Sequence, residues 1–158
     1  MAQMKIRKIL APTDLSELSR AGLRYGLEVG KSEGAEVVVY NVAGPSEDWL
    51  YRHDEFYTAD RLIEKHKKML DGFLKITCAD LLPQVSIRQD VGFGVSYKMI
   101  VKKAKEEKAD LIVMSTHGWM GLLHALIGSV TEKVVRTASC PVLSIHPAYT
   151  SRTSGIAA

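Results

Sequence analysis

The stretch Leu111-Ile112-Val113-Met114-Ser115-Thr116-His117-Gly118, followed after nine residues by Gly128-Ser129-Val130-Thr131-Glu132, decides how this chain folds. Four consecutive apolar residues with no polar alternation make a strand buried on both faces, as in the middle of a parallel sheet. The strand opens into a glycine-punctuated loop, and Ser129 with Glu132 three positions on is a capping box that starts a helix. Backbone N–H groups and a helix dipole can hold an anion at such a junction. Spacing alone leaves two readings. In one, Gly128 lets the chain pass close to a phosphate and Ser129 caps or bonds the ligand; in the other, Ser129 only caps.

Working outward, the same alternation of strand and helix fills the chain. Ile6, Ile9, Leu10 and Ala11 form a first strand that stops at Pro12. Asp14 and Glu17 open a helix whose inner face is expected at Leu18, Gly22, Tyr25 and Val29, closed by Gly34. Val37 to Tyr40 is a second buried strand. After the aromatic stretch Ser46 to Tyr57, which is either a lid or packing, comes a long amphipathic helix carrying Leu62, His66, Met69 and Phe73. Val85 to Val91 alternates as an edge strand does, and a third helix turns Tyr97, Ile100, Val101 and Ala104 inward and its Lys and Glu residues toward water. The helix from Ser129 is expected to bury Val130, Val134 and Val135, and Pro141 leads into an edge strand, Val142 to His146. The order βαβαβαβαβ implies parallel strands with right-handed helical crossovers, hence a three-layer α/β/α sandwich. Ligands bind such sheets beyond the carboxyl ends of the strands, where strand order reverses, which selects Pro12 to Asp14, Asn41 to Ala43 and Met114 to Ser129.

Composition excludes several classes. At 158 residues, 46% hydrophobic and 25% charged, the chain is one globular domain, assigned to residues 1–146, with a small polar tail, 147–158, expected to be mobile. A net charge of +3 is too small and too dispersed for nucleic acid. No apolar run approaches the ~20 residues that span a bilayer, and no signal-peptide hydrophobic region precedes Pro12, so a cytoplasmic setting is the default. Cys78 and Cys140 have no CxxC spacing and read as small buried hydrophobes, and no metal site is expected. There is no GxxxxGK[ST]. Gly92-Phe93-Gly94 lacks the third glycine of a dinucleotide fingerprint, since Tyr97 stands there, and reads as a turn. Asp14 either accepts from ribose hydroxyls or caps the helix after it. No nucleophile and base pair with His117 or His124, so no catalytic residue is assigned.

Four segments in order, Ile9-Leu10-Ala11-Pro12-Thr13-Asp14-Leu15-Ser16, Val39-Tyr40-Asn41-Val42, Met114 through Glu132, and Cys140-Pro141-Val142-Leu143, resemble the universal stress protein family, and the resemblance covers Lys5 to His146. It implies a five-stranded parallel sheet in the order 3-2-1-4-5, Rossmann-like and similar to the adenine-nucleotide α-hydrolases. The family's nucleotide-binding branch carries Gly-x-x-Gly, nine residues, then Gly-[Ser/Thr]. By that resemblance Pro12, Thr13, Asp14 and Val42 line an adenine and ribose, Met114, Ser115 and Gly118 border the nucleotide, and Gly128, Ser129, Val130 and Thr131 hold its phosphates. ATP, or ADP or AMP, is the implied ligand, with or without Mg²⁺. Its role would be regulatory, in stress response, with at most slow hydrolysis because no general base is evident. A homodimer through the last strand is also implied.

Two departures matter. Ser115 replaces the first glycine, where its side chain would crowd the ligand or bond to it. Trp119 and His124 stand where relatives often carry basic residues, and no Lys or Arg occurs between Lys108 and Lys133. The expected result is a smaller preference for triphosphate over AMP than a basic loop would give. The alternative is a dimeric interaction module of the same fold that binds no nucleotide.

Overall fold

The structure, a computed structural model, describes residues 5–44, 58–117 and 127–148. β1 (Lys8–Pro12) leads through a 3₁₀ turn (Glu17–Ser19) into α1 (Arg20–Glu33) and β2 (Glu36–Ala43). α2 (Ala59–Thr77), β3 (Ser86–Phe93), α3 (Ser96–Glu106), β4 (Leu111–Ser115), α4 (Ser129–Thr137) and β5 (Val142–Ile145) follow. The strands form one parallel sheet in the order β3-β2-β1-β4-β5, as the alternation and the resemblance implied. The aromatic stretch 46–57, Gly118, Trp119, His124 and the tail from residue 149 lie outside the described residues.

Period-two alternation sends successive strand residues to opposite faces. Ile9, Ala11, Val37, Val39 and Val113 pack on one face beneath Leu23 and Leu27 of α1 and Leu70 and Leu74 of α2. Leu10, Val38, Tyr40, Ile112 and Met114 pack on the other beneath Ile100 and Ala104 of α3 and Val134 of α4. The four leucines of α1 and α2 are fully buried, each contributing about 2 kcal/mol.

The inner face of α1 is the expected one in part: Gly22 is buried and Tyr25 and Val29 pack against the core, but Leu18 does not belong to it. Leu18 is 39% exposed, and the buried helical residues are Gly22, Leu23, Gly26, Leu27 and Gly30. The glycines fall four apart, on one stripe, and let the helix lie close on the sheet, at Gly22 against its backbone and at Gly26 and Gly30 against its side chains. A Cβ on Gly22 would stand 2.2 Å from the Ser115 nitrogen, one on Gly26 3.3 Å from the Ala11 Cβ, and one on Gly30 2.3 Å from Val37 Cγ2. The α1 start also differs, because Ser16 rather than Asp14 caps the 3₁₀ turn, its side chain accepting from Ser19 N–H. In α4 the N-cap is Gly128 instead of Ser129, which rotates the buried face to Thr131 and Val134; Val130 and Val135 are exposed.

The charged face of α3 is not all solvated. Glu107 accepts from Arg88 of β3 at 2.5 Å and pairs with Lys8 at 3.3 Å and Lys103 at 3.1 Å. Lys103 also meets Asp90 at 2.5 Å. The Arg88 guanidinium holds the Glu107 carboxyl down at about 2. Arg88 and Asp90 lie two apart on β3, facing α3, and so draw Lys103 and Glu107 inward. Cys78 is buried and Cys140 half-buried, both as free thiols.

The glycine stripe makes one substitution act with opposite signs. Gly22→Ala, which drives a Cβ into the β4 backbone, is expected to lower unfolding free energy by about 3 kcal/mol. Gly72→Ala, in α2 with nothing within 4 Å, is expected to raise it by about 0.5–1 kcal/mol. Urea unfolding of both variants measures the contrast, and equal effects would contradict the close contact.

Candidate functional site

At the carboxyl ends of β1, β2 and β4, where strand order reverses, the structure holds a cavity of about 290 Å³. It is lined by Pro12, Thr13 and Asp14 after β1, Val42 of β2, Met114 and Ser115 of β4, and Gly128, Ser129, Val130 and Thr131 at the start of α4. Every described residue of the expected site thus lies on one cavity; Gly118 is outside the described residues.

The turn after β1 is built from its own side chains. Thr13 N–H donates to the Tyr40 carbonyl at 2.9 Å, continuing the ladder past Pro12. The Thr13 hydroxyl shares a 2.8 Å hydrogen bond with Ser19 and accepts from Leu15 N–H at 3.1 Å. One oxygen of Asp14, Oδ1, accepts from Ser16 N–H at 3.0 Å and from the Ser16 hydroxyl at 2.5 Å. Asp14 therefore holds Ser16, and Ser16 holds the helical turn, so the carboxylate acts on α1 at one remove. Leu15 adopts a left-handed φ of 65°, a strained conformation that tight functional turns concentrate.

Two residues from elsewhere brace this turn. The buried Asn41 of β2 donates Nδ2–H to the Thr13 carbonyl at 2.8 Å, and its Oδ1 faces His66 Nδ1 of α2 at 2.6 Å. A carbonyl can only accept, which orients the Asn41 amide, and Oδ1 in turn requires a hydrogen on His66 Nδ1. Burial and then Lys65 push the His66 imidazole below its ordinary range.

Ser115 has a partner within the protein that its position in the sequence does not announce. Its hydroxyl turns to α1 and accepts from Gly22 N–H at 2.9 Å, with the residue 5% exposed, while Ser115 also lines the cavity. Gly22 N–H lies in the first turn of α1 and has no partner within the helix, so Ser115 caps α1 from a strand 93 residues away. The Ser115 carbonyl accepts from the Thr131 hydroxyl at 2.9 Å, and the Thr116 carbonyl accepts from Gly128 N–H at 2.6 Å. Gly128 is a glycine for a protein reason as well, because a Cβ there would stand 2.9 Å from the Thr116 oxygen. Ser129 makes no capping bond, and the backbone N–H groups of Ser129, Val130 and Thr131, the first three of α4, have no helical acceptor.

Ser19, Tyr40, Ser96, Ile100 and His117 complete the lining and escaped the sequence reading as site residues. Tyr40 and Ile100 gave only a core signal and Ser96 none, while His117 lies within the loop that topology selected without being assigned a role. Among the described residues the lining carries one carboxylate, Asp14, no Lys or Arg, and one imidazole, His117, whose Nδ1 lies 2.9 Å from the Thr116 hydroxyl. A positive potential at this end comes from the α4 dipole. Among the described residues no group of three or more His, Cys, Asp or Glu could hold a metal ion.

The profile of the universal stress protein family matches residues 5–146. This chain belongs to that family. The universal stress protein MJ0531 of Methanocaldococcus jannaschii is 32% identical over 148 residues, 88% of this chain and 81% of its own. Universal stress protein MJ0577 of the same organism is 29% identical over 154 residues, covering 88% and 94%. The solved structure of MJ0577 superposes with a TM-score of 0.72, over 94% of this chain and all of its own. The universal stress protein from Archaeoglobus fulgidus in complex with dAMP, 22% identical, has the same fold, with a TM-score of 0.63 over 90% of this chain and 99% of its own. In this universal stress protein no described helix is long and apolar enough to cross a membrane.

Ser115→Ala removes the acceptor of a buried N–H without opening a large void. It is expected to lower unfolding free energy by about 1–2 kcal/mol in urea titrations. A loss under about 0.3 kcal/mol would contradict the capping role.

Proposed function

We propose that this universal stress protein binds an adenine nucleotide, ATP or its lower phosphates, as a regulatory ligand in the stress response. Pro12, Thr13, Asp14 and Val42 take the adenine and ribose, Asp14 accepting from ribose hydroxyls. Met114, Ser115 and, from the resemblance, Gly118 border the ligand. Gly128, Ser129, Val130 and Thr131 receive the phosphates through backbone N–H groups.

The observation that carries this reading is the convergence on one cavity of a carboxylate at the end of β1 and three N–H groups without a helical acceptor at the start of α4. A nucleoside phosphate has hydroxyls for the first and an anion for the second. The dAMP held by the Archaeoglobus fulgidus protein is a ligand of this class on the same fold. With no Lys or Arg in the lining, much of a triphosphate's charge is left to water or to a divalent cation, Mg²⁺ being the one at hand. Asp14 already accepts from Ser16, which suits a ligand that is held, with at most slow hydrolysis.

The same proposal places the chain as a cytoplasmic homodimer. Among the described residues β5 pairs only with β4, and it carries Leu143, 36% exposed, so self-pairing would cover an apolar strand edge.

Native mass spectrometry reads both parts. The expected species is a dimer carrying one adenine nucleotide per chain. Calorimetric titration is expected to show ATP bound no more than about tenfold tighter than AMP without metal, with a wider gap when Mg²⁺ is present. A large triphosphate preference without metal contradicts the charge balance. Failure of ATP, ADP and AMP all to bind at millimolar concentration contradicts the nucleotide reading and leaves a nucleotide-free interaction module.

A further inference from the structure

Two polar side chains stand where the packing around them is apolar. Asn41 lies on the α1–α2 face of β2, in line with Val37, Val39 and Ala43, and is only 2% exposed. His66 of α2 follows the inward spacing of Leu62, Leu70 and Phe73. An apolar residue at either place would pack without desolvating a polar group. The two meet instead, with Asn41 Oδ1 2.6 Å from His66 Nδ1, and Asn41 Nδ2–H donates to the Thr13 carbonyl at 2.8 Å. Thr13 and Asp14 line the cavity, so this chain of bonds runs from α2 to the ligand site.

What the chain of bonds holds is one peptide plane. β1 and β2 are paired up to Pro12 and Tyr40, and Thr13 N–H reaches the Tyr40 carbonyl at 2.9 Å. The Thr13 carbonyl then takes the side chain of Asn41 and is fixed toward β2. In a trans peptide the carbonyl and the next N–H point opposite ways. The Asp14 N–H is therefore turned from β2 to the side of β4, whose Met114 and Ser115 line the cavity. Leu15, the next residue, has a left-handed φ of 65°, a strain that persists only where the surroundings over-determine it. The Thr13 hydroxyl, accepting from Leu15 N–H at 3.1 Å, is one tie within the turn, and Asn41 supplies another from outside it. Without Asn41 the Thr13–Asp14 peptide can rotate and carry the Asp14 carboxylate off the cavity wall.

His66 decides which way the Asn41 amide faces. The buried Oδ1 needs a donor, and an imidazole with its hydrogen on Nδ1 supplies it. Without that donor the amide can turn over and set oxygen against the Thr13 carbonyl oxygen. We propose that His66 and Asn41 are positioning residues of the ligand site, holding the Thr13–Asp14 peptide so that Asp14 meets the ribose of a bound nucleotide. This rests on the nucleotide reading above and adds to it a control from α2, which contributes no residue to the described cavity lining.

His66→Leu removes the donor and keeps the bulk, whereas His66→Asn puts an amide nitrogen where Nδ1 stands. Neither variant has a ring, so the difference between them reports the donor. Calorimetry with ADP and ¹H–¹⁵N spectra of the ligand-free proteins, both well below the unfolding temperature, supply the readings. His66→Leu is expected to bind ADP about 3- to 10-fold more weakly, the worth of one neutral hydrogen bond, with its Asp14 amide signal displaced before any ligand is added. His66→Asn is expected to return both readings toward wild type. Asn41→Ala, which removes the amide itself, is expected to repeat the loss and replaces His66→Leu should that variant not fold. Wild-type affinity and an unmoved Asp14 amide in His66→Leu, whatever its melting temperature, overturn the proposal: the pair then satisfies only itself, and the nucleotide reading stands. Equal weakening in His66→Leu and His66→Asn overturns it as well, because the ring and not the donor then matters. Wild-type protein that does not bind ADP overturns the nucleotide reading and, with it, the positioning of a ligand, whatever the Asp14 amide does.

Discussion

The backbone of α1 lies directly on the backbone of β4, and the rest of the site depends on that contact. Gly22 makes it possible by having no side chain there, while Gly26 and Gly30, further along the same stripe, leave room for the side chains of Ala11, Val113 and Val37. Because the helix comes so close, a serine on β4 can reach its first turn, and Ser115 accepts the Gly22 N–H. The same short stretch holds α4, since the Ser115 carbonyl takes the Thr131 hydroxyl and the Thr116 carbonyl takes Gly128 N–H. Thr116 N–H also donates to Ile145 at the end of β5. Two residues at the end of one strand thus anchor two helix starts and a neighbouring strand. The cavity between β1 and α4 has its width set at that junction.

How much of this could be seen in the sequence depends on whether the signal was local. Strand β4 was legible because a strand buried on both faces needs an unbroken apolar run, and β3 because an edge strand alternates. The site loops followed from topology, since parallel strands with helical crossovers put their carboxyl ends together. What failed was any property that belongs to two distant segments at once. Ser115 looked like a misplaced side chain beside a ligand, because nothing local to it names Gly22 as its partner. Of the α1 glycines, Gly22 was placed on the inner face by its spacing, but nothing local marks Gly26 and Gly30 as the same stripe. The charged residues of α3 looked solvated until Arg88 and Asp90, on another element, were placed beneath them. In α4 the capping-box pattern was present, but the close approach of Gly128 to Thr116 shifted the helix start by one residue.

The electrostatics follow from the same geometry. Charged side chains gather over the α3 face away from the cavity, where Arg88, Lys103, Lys8, Glu36, Asp90 and Glu107 satisfy one another. The cavity keeps one carboxylate and draws its positive end from backbone dipoles. Backbone N–H groups fixed at a helix start need no reorganisation to meet an anion, but they carry little net charge. Such a site suits a ligand recognised by shape, base and ribose as much as by phosphate number.

The central claim is that the first turn of α4 and the turn after β1 close on the two ends of one nucleotide. A ¹H–¹⁵N NMR titration with ADP reads this residue by residue. The account predicts that the amide signals of Ser129, Val130 and Thr131 move together with those of Thr13 and Asp14, saturating at one equivalent per chain. Binding that shifts other regions and leaves the Ser129–Thr131 amides in place would contradict it.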